Sequence, residues 1–429
     1  MSTATTLRVD GDRLMWRLDA LAAVGDTGDG GVCRLALTDA DREGRDLVTS
    51  WMRELGCRVE IDAIGNVVGT WPATATEPPV MMGSHIDTVR TGGRFDGNLG
   101  VLAGLEIIET VQESGLTTGR PLAVAFFTDE EGSRFAPDML GSLVRVGGMT
   151  LAEALDIEDA RGATVGDELS RIGYAGPVPL PAAAPAAFVE LHVEQGPVLE
   201  RQGVTIGSVT GVQGISWTEW TLTGQSNHAG TTPMSMRHDP AVVAAGMVIA
   251  VRQLAHELGD PQVATVGRID LHPNLVNVVA GRAVLTVDLR NTDETVLLAA
   301  EARMAAAIMD LAEAEGVVAV SRSLARFEPV TFSELVAGLI ESSATALGHS
   351  VRRLPSGAGH DAQMFARVCP SGMVFVPSIG GISHNPAELT DRHDLVAGCD
   401  VLLSVVMALC ETELPGPWDS PADLAMVTP

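Results

Sequence analysis

Four short apolar runs, each followed closely by histidine or acidic residues, constrain what this chain can fold into more than any other feature. The runs cover residues 80–82, 121–127, 188–191 and 373–377. Such runs are typical of fully buried strands, and the helix-like segments between them predict an α/β fold. In an open α/β sheet, binding sites form beyond the carboxyl ends of the strands. We therefore expect the four polar segments to meet at one edge of one sheet.

The polar residues at these strand ends have the chemistry of a site for two divalent cations. They supply three imidazoles and two carboxylates, from His85, Asp96, Glu131, His192 and His384. We predict that two cations share Asp96, and the mixed nitrogen and oxygen donors suit zinc, manganese, cobalt or nickel. The alternative is a polar strand end with a tight turn, which explains any one of these motifs equally well. Four such endings in one chain favour the metal site.

Two further acids lie beside the predicted ligands. Asp87 follows His85 by two residues, so we expect it to orient that imidazole. Glu130 directly precedes Glu131, and we predict that it acts as general base on a water molecule and then as acid toward a leaving nitrogen. Paired glutamates at a strand end are usually only solvated, but the neighbouring predicted ligands favour a catalytic role.

Composition restricts the partners and the location of the protein. The formal net charge of −27 argues against nucleic acid and anionic membranes as partners. Five scattered cysteines without a C-x-x-C pair indicate reduced thiols in a cytoplasmic protein. Residues 1–12 lack the pattern of a signal peptide. We also expect no apolar run near the roughly 20 residues that a bilayer span needs.

The length of 429 residues predicts more than one domain. One stretch follows a β-α-β-β-α-β order, which is typical of a ferredoxin-like α+β domain. We interpret it as a domain inserted into a discontinuous catalytic domain. The expected boundaries are 1–211 and 328–412 for the catalytic domain, 212–327 for the insertion, and 413–429 for a loosely ordered tail.

Within the insertion, single strands and capped helices are expected at defined places. Asp239 and Pro240 have the residue types of an N-cap and a first helical position. Residues 262–271 are expected to form one strand, and residues 317–321 the last one.

Six segments of the chain resemble the hydantoinase/carbamoylase branch of the M20 metallopeptidase-like amidohydrolases. In the family order, they are GSHIDTV at 83–89, GRFDG at 93–97, TDEEGSRFAP at 128–137, ELHVEQGP at 190–197, NHAGTTP at 227–233 and SGAGHD at 356–361. The resemblance implies that the five residues named above are the metal ligands and that Glu130 is the catalytic base. It also implies a zinc-exopeptidase-like catalytic domain, with a mixed sheet flanked by helices, and an inserted lid that pairs two subunits into a homodimer.

The resemblance assigns three substrate contacts to the inserted domain. His228 matches a histidine that reaches the active site, typically from the partner subunit, where it can donate to the oxyanion of a tetrahedral intermediate. Asn277 and Arg290 match positions that bind the substrate carboxylate and ureido group, and a guanidinium fork suits a carboxylate. The alternatives are an ordinary loop histidine and a surface arginine at a strand end. Residues 279–281 depart from the family, since they read VAG where an apolar residue, proline and glycine are usual.

Four residues of the catalytic domain are further candidates. They are Gln195, His360, Asp361 and Gly359, the last within a glycine-rich segment that lets the backbone approach a ligand.

These assignments predict hydrolysis of the ureido C–N bond of N-carbamoyl-L-amino acids or N-carbamoyl-β-alanine to amino acid, ammonia and carbon dioxide. The alternatives are an allantoate amidohydrolase and an M20 aminoacylase or dipeptidase, which use the same metal site. A non-catalytic binding protein on the same scaffold would be expected to lack a ligand or the base, and neither is missing here.

Overall fold

The computed structural model describes residues 7–414, so the predicted tail at 413–429 lies almost entirely outside the described residues. The chain forms two compact units. One consists of the residues up to Gly211 together with those from Thr331 onward, and the other of Val212–Val330. We call them the larger unit and the smaller unit.

Helices and strands alternate through most of the described chain. The helices are α1 (Gly11–Ala22), α2 (Asp39–Glu54), α3 (Asn98–Ser114), α4 (Leu140–Arg145), α5 (Leu151–Leu155), α6 (Val165–Ile172), α7 (Val198–Gln202), α8 (Pro240–Leu258), α9 (Glu294–Glu315), α10 (Glu334–Ala346), α11 (Asp361–Phe365) and α12 (Arg392–Glu411). The strands are β1 (Arg58–Ile61), β2 (Val67–Trp71), β3 (Val80–His85), β4 (Leu122–Phe127), β5 (Ala187–Val193), β6 (Ile206–Val212), β7 (Gly214–Thr223), β8 (Asn227–His228), β9 (Val263–Thr265), β10 (Ile269–His272), β11 (Val278–Val279), β12 (Arg282–Asn291), β13 (Val318–Phe327), β14 (Val330–Thr331), β15 (Val351–Ser356) and β16 (Ser371–Val376).

A mixed sheet forms the centre of the larger unit, in the order β1-β2-β4-β3-β5-β16-β6-β14, with β15 paired to β6. Its four inner strands, β4, β3, β5 and β16, are mutually parallel. Every residue of these four strands is buried. Strands covered on both faces need continuous apolar sequence, which explains the four apolar runs and confirms the expected mixed α/β fold.

Helices cover both faces of this sheet. On one face, α3 and α12 pack against the inner strands and against each other. On the other face, the ring of Phe188 in β5 stacks on Phe365 of α11 at a centroid distance of 4.3 Å. The helices thereby fix the positions of the inner strand ends.

The smaller unit has a five-stranded antiparallel sheet in the order β10-β12-β7-β13, with β9 also paired to β12. Helices α8 and α9 pack on the sheet around a core that includes Leu222, Met247, Leu285 and Ile308. Asp239 caps α8 by accepting from the amide of Ala241. If the two-residue strands β8 and β11 are set aside and β9 and β10 are taken together, the order of strands and helices is β-α-β-β-α-β.

Two strand predictions in this unit need correction. The expected strand at 262–271 is split into β9 and β10, because Thr265 faces Asp288 whereas Ile269 faces Leu285. The four residue steps from Thr265 to Ile269 therefore correspond to the three steps from Asp288 to Leu285 in β12. The segment between β9 and β10 thus contains one extra residue, as in a β-bulge. The last strand, β13, is also longer than the expected 317–321.

The expectation that no apolar run approaches the length of a bilayer span was also wrong. Judged by length and composition alone, α8 and α12 are both long enough and apolar enough to cross a membrane. Most of α12 is buried inside the larger unit, as expected of a core helix. Helix α8 turns Val243, Met247, Val251 and Leu254 toward the core of the smaller unit, so its apolar sequence also serves packing.

Candidate metal centre and active site

The four inner parallel strands deliver polar side chains to one edge of the larger unit's sheet. His85 is the last residue of β3, and His192 is the penultimate residue of β5. Glu130 and Glu131 follow β4, and His384 follows β16 after a short 3₁₀ turn. Asp96 lies in the turn between β3 and α3. These residues come together because parallel strands end at the same edge.

One group of potential ligands consists of His85, Asp96 and His192. All three are buried, and one ligand atom from each lies within 4.8 Å of the others. The Nε2 atom of His192 is 3.1 Å from Asp96 Oδ1, and that of His85 is 3.6 Å from the same oxygen.

A second group consists of Asp96, Glu131 and His384, again within 4.8 Å of one another. His384 Nε2 lies 3.5 Å from Asp96 Oδ2 and 3.3 Å from Glu131 Oε2. Asp96 therefore turns one carboxylate oxygen toward each group. The His384 side chain is 49% exposed, so the second group borders solvent whereas the first does not.

The Nδ1 atoms of His85 and His192 donate hydrogen bonds that orient the two imidazole rings as metal ligands. His85 Nδ1 lies 2.9 Å from the carbonyl oxygen of Asp87, and His192 Nδ1 lies 2.8 Å from that of Val193. Because a carbonyl only accepts, each Nδ1 carries the proton, and in the neutral ring the lone pair is on Nε2. Both Nε2 atoms face Asp96, so the residues present fit a cation at this place.

The electrostatics of the cluster also favour a cation. Burial lowers the pKa of His85, but Glu130, Asp96 and the other nearby acids outweigh it and raise that pKa well above its usual range. Burial opposes ionisation of Asp96, yet contacts with His192 and His85 hold the pKa of its carboxyl well below its usual range. A site that attracts protons this strongly can attract a divalent cation in their place.

Glu130 is buried directly beside the first group. Its Oε2 atom lies 3.3 Å from His85 Nε2. Burial raises the pKa of the Glu130 carboxyl well above its usual range, with His85 opposing the rise and Asp361 and Glu131 adding to it. A carboxyl group with a raised pKa can both take and return a proton near neutral pH.

Asp87 supports the site differently from the expectation. His85 Nδ1 donates to the backbone carbonyl of Asp87, while a carboxylate oxygen of Asp87 lies 4.0 Å from that nitrogen. The carboxylate instead accepts from the backbone amides of Glu130 and Glu131, at 3.3 and 3.4 Å. Asp87 thus connects the end of β3 to the turn that carries the base.

Two of the further candidates in the larger unit contact the predicted ligands. Gln195 donates from Nε2 to Asp96 Oδ2 at 2.9 Å, and its buried Oε1 has no hydrogen-bond partner among the described residues. The His360 ring packs edge-on against His192 at 4.6 Å, and its Nε2 lies 2.8 Å from Ser356 Oγ. At Gly359, an added Cβ would lie 2.8 Å from the end of the Met139 side chain.

The three candidates in the smaller unit lie on its strands or directly beside them. β8 and β11 pair His228 with Val278, and Asn277 directly precedes β11. His228 and Asn277 are both exposed. His228 Nδ1 accepts from the amides of Gly230 and Thr231, so the neutral ring carries its proton on Nε2. Arg290, near the end of β12, binds the carboxylate of Asp288 through Nε and Nη2 at 2.9–3.1 Å.

Two buried glutamates near the site were not predicted from the sequence. Glu190, two residues before His192, accepts from Ser84 Oγ at 2.6 Å and from the amide of Ala362 at 2.9 Å. It also forms a third group of potential ligand atoms with His192 and His360. Glu388 accepts from two amides of the turn that carries Asp96. The only signal in the sequence was their closeness along the chain to His192 and His384.

Comparison with known proteins decides the family. Residues 81–408 match the Peptidase family M20/M25/M40. The chain belongs to this family.

Individual members share nearly the whole chain. The N-carbamoyl-L-amino-acid amidohydrolase of Rhizobium meliloti is 42% identical over 405 residues, covering 94% of this chain and 97% of its own. The allantoate amidohydrolase of Bacillus subtilis is 35% identical, covering 91% and 96%. A crystal structure of an amidase of the hydantoinase/carbamoylase family from Burkholderia multivorans has a TM-score of 0.91 at 43% identity, covering 95% and 100%. The M20 fold and the resemblance to the hydantoinase/carbamoylase branch are thereby confirmed.

Proposed function

We propose that this protein hydrolyses the ureido C–N bond of N-carbamoyl-L-amino acids, releasing the amino acid, ammonia and carbon dioxide. One observation of the structure carries the proposal: two groups of potential metal ligands share Asp96 beside the buried carboxyl of Glu130. The similarity to N-carbamoyl-L-amino-acid amidohydrolases over 94% of the chain supports the choice of substrate.

His85 and His192 would hold one cation, Glu131 and His384 the other, and Asp96 both. When bound, such cations lower the pKa of a water molecule and polarise a carbonyl group. Zinc, manganese, cobalt and nickel all suit this combination of imidazole and carboxylate donors.

In the proposed reaction, Glu130 takes a proton from the attacking water and returns it to the leaving nitrogen. Its burial beside His85 and the raised pKa of its carboxyl support both steps, because a carboxylate with a raised pKa is a stronger base. Asp87 supports Glu130 indirectly, since its carboxylate holds the amide of that residue.

Substrate recognition is assigned to residues of both units. Gln195 Oε1 is a buried acceptor suited to a ureido N–H. His228 carries its proton on Nε2, as a donor to an oxyanion requires. Arg290 and Asn277 are proposed to bind the carboxylate and the ureido group. His360 and Gly359 are proposed to shape the wall of the site, His360 through its contact with His192.

The smaller unit is proposed to act as a lid and to pair two subunits into a homodimer. β13 lies at the edge of its sheet, and its Val318 and Val320 are exposed. An edge strand with exposed apolar side chains favours pairing with another strand. A cytoplasmic location is also proposed, and it is supported by five cysteines that are all free thiols.

The direct test is an assay of ammonia and amino acid release with added manganese, cobalt or zinc. We expect equimolar ammonia and amino acid from N-carbamoyl-L-amino acids, with N-carbamoyl-β-alanine tested beside them. Ammonia from allantoate alone would establish the second candidate, which the Bacillus subtilis relative favours. Turnover only of an N-acetyl amino acid or a dipeptide would contradict the ureido substrate and indicate an aminoacylase or a peptidase.

A further inference from the structure

A buried carboxylate, Glu388, holds the backbone of the ligand that both groups share. It lies between His384 and α12 and is only 4% exposed. Its Oε1 atom accepts from the amides of Phe95 and Asp96 at 2.9 and 3.1 Å. The segment that carries His384 and the turn that carries Asp96, almost 300 residues apart in sequence, are therefore joined by one side chain.

The turn is shaped to admit this carboxylate. A Cβ added at Gly93 would lie 2.2 Å from both the Cδ and the Oε1 atoms of Glu388. The second oxygen, Oε2, is buried without a hydrogen-bond partner among the described residues. Burying a carboxylate so incompletely paired is unfavourable for folding. Because Glu388 nevertheless contacts the backbone of Asp96, we infer that it serves the candidate metal site and does not act through stability alone.

We expect the two groups of ligands to depend to different degrees on the hydrogen bonds that Glu388 accepts from Phe95 and Asp96. In the first group, His192 is buried within β5 and its Nδ1 donates to the carbonyl of Val193, so its ring is held independently of Glu388. In the second group, His384 is half-exposed, and its segment meets the Asp96 turn otherwise only through the longer hydrogen bonds of Thr91 to the His384 carbonyl and of Ser383 to Asp96, at 3.2 and 3.3 Å, among the described residues. Loss of the Glu388 contact should therefore displace Asp96 from His384 more than from His192.

We propose that Glu388 is a positioning residue that sets the distance between Asp96 and His384 and thereby the affinity of the second cation. This inference rests on the proposed metal function. Groups that orient metal ligands typically change metal affinity by about 10- to 100-fold when they are removed. The carboxylate of Asp87 holds the Glu130–Glu131 backbone in a similar way.

The test is titration of the metal-free full chain with cobalt(II), followed by calorimetry and by visible absorption. For the wild type we expect two sites per chain. Glu388→Ala should keep one tight site and weaken the other about 10- to 100-fold. Glu388→Gln retains an acceptor for both amides, so it should recover most of that affinity.

A steric variant tests the same contact without removing the carboxylate. Gly93→Ala should weaken the same cobalt site, because the added methyl group displaces Glu388. Gly338→Ala is the matched control, since nothing lies within 4 Å of its added Cβ. Glu106→Ala is the second control. It removes an equally buried carboxylate that pairs with Arg13 and Arg17, and it should leave both cobalt sites unchanged.

The outcomes separate the inference from the function on which it rests. If Glu388→Ala and Gly93→Ala both bind two cobalt ions with wild-type affinities, the positioning role is wrong while the metal site stands. If the wild type binds no cobalt, the metal proposal itself fails. Should Glu388→Ala not fold, as circular dichroism would show, Gly93→Ala decides the matter by the same criterion, since wild-type affinity for both cobalt ions in that variant would overturn the positioning role.

Discussion

The candidate residues of the two units differ in how completely their surroundings hold them. In the larger unit, His85, Asp96, His192 and Glu130 are buried, and hydrogen bonds with Asp87, Val193 and Glu388 hold their rings or backbone amides. In the smaller unit, His228 and Asn277 are exposed on short strands. This difference indicates that the larger unit carries a reaction centre that is protected from solvent, whereas His228 and Asn277 of the smaller unit are open to solvent.

Loss of Asp96 should have the largest effect, because both groups of ligands share it. We expect Asp96→Ala to abolish turnover and to lower cobalt binding at both sites. The matched control is Asp62→Ala, which removes another buried aspartate, one that pairs with Arg145. Turnover by Asp96→Ala near the wild-type rate would show that the larger unit holds no shared-ligand metal centre.

Glu130→Gln should come next. A positioned general acid or base contributes roughly 10²- to 10⁴-fold, so we expect kcat to fall by that factor. Glu130 is not assigned as a ligand, and cobalt binding should therefore stay close to that of the wild type. Glu113→Gln on α3 is the control. Wild-type kcat in Glu130→Gln would exclude this residue as the base.

His228→Ala tests the contribution of the smaller unit to the reaction, because it removes the side chain proposed to donate to the oxyanion. Loss of one donor to an oxyanion costs roughly 10²- to 10³-fold in kcat, and the metal sites should be unaffected. His256→Ala, an exposed histidine of α8, is the control. An effect on KM alone would assign His228 to binding of the ground state rather than to the transition state.

Arg290→Ala should have the smallest effect of the four. A charge-assisted contact to a substrate carboxylate is worth about 1.5–3 kcal/mol, which corresponds to roughly 10- to 100-fold in kcat/KM. The loss should appear mainly in KM, because the contact is present before and during the reaction. Arg322→Ala is the control, since Arg322 lies in the same sheet and pairs with Glu219. Equal losses in both variants would assign Arg290 a structural role with Asp288.

The sequence predicted the parts of the site that depend on local pattern. An apolar run followed by His85 or Glu131 identifies both a buried strand and the edge where it ends. The roles of Glu190 and Glu388 depend on contacts with Ala362 and Asp96, which are distant in sequence. No periodicity or spacing reports such contacts.

The same limit explains the differences in the secondary structure and at Asp87. The break between β9 and β10 comes from a shift in pairing with β12, and pairing is not visible in one strand alone. For Asp87, spacing correctly placed the residue beside His85. It could not show that the carbonyl binds the ring while the carboxylate binds the amides of Glu130 and Glu131.

The proposed centre holds two cations with five side chains, of which Asp96 is shared, and the number of bound ions is its sharpest test. Metal-free protein would be loaded with cobalt or manganese, freed of excess ion, and analysed for metal and protein content. We expect two ions per chain in the wild type and a marked loss in Asp96→Ala. A wild type that retains no metal, or an Asp96→Ala variant that retains two ions, would contradict it.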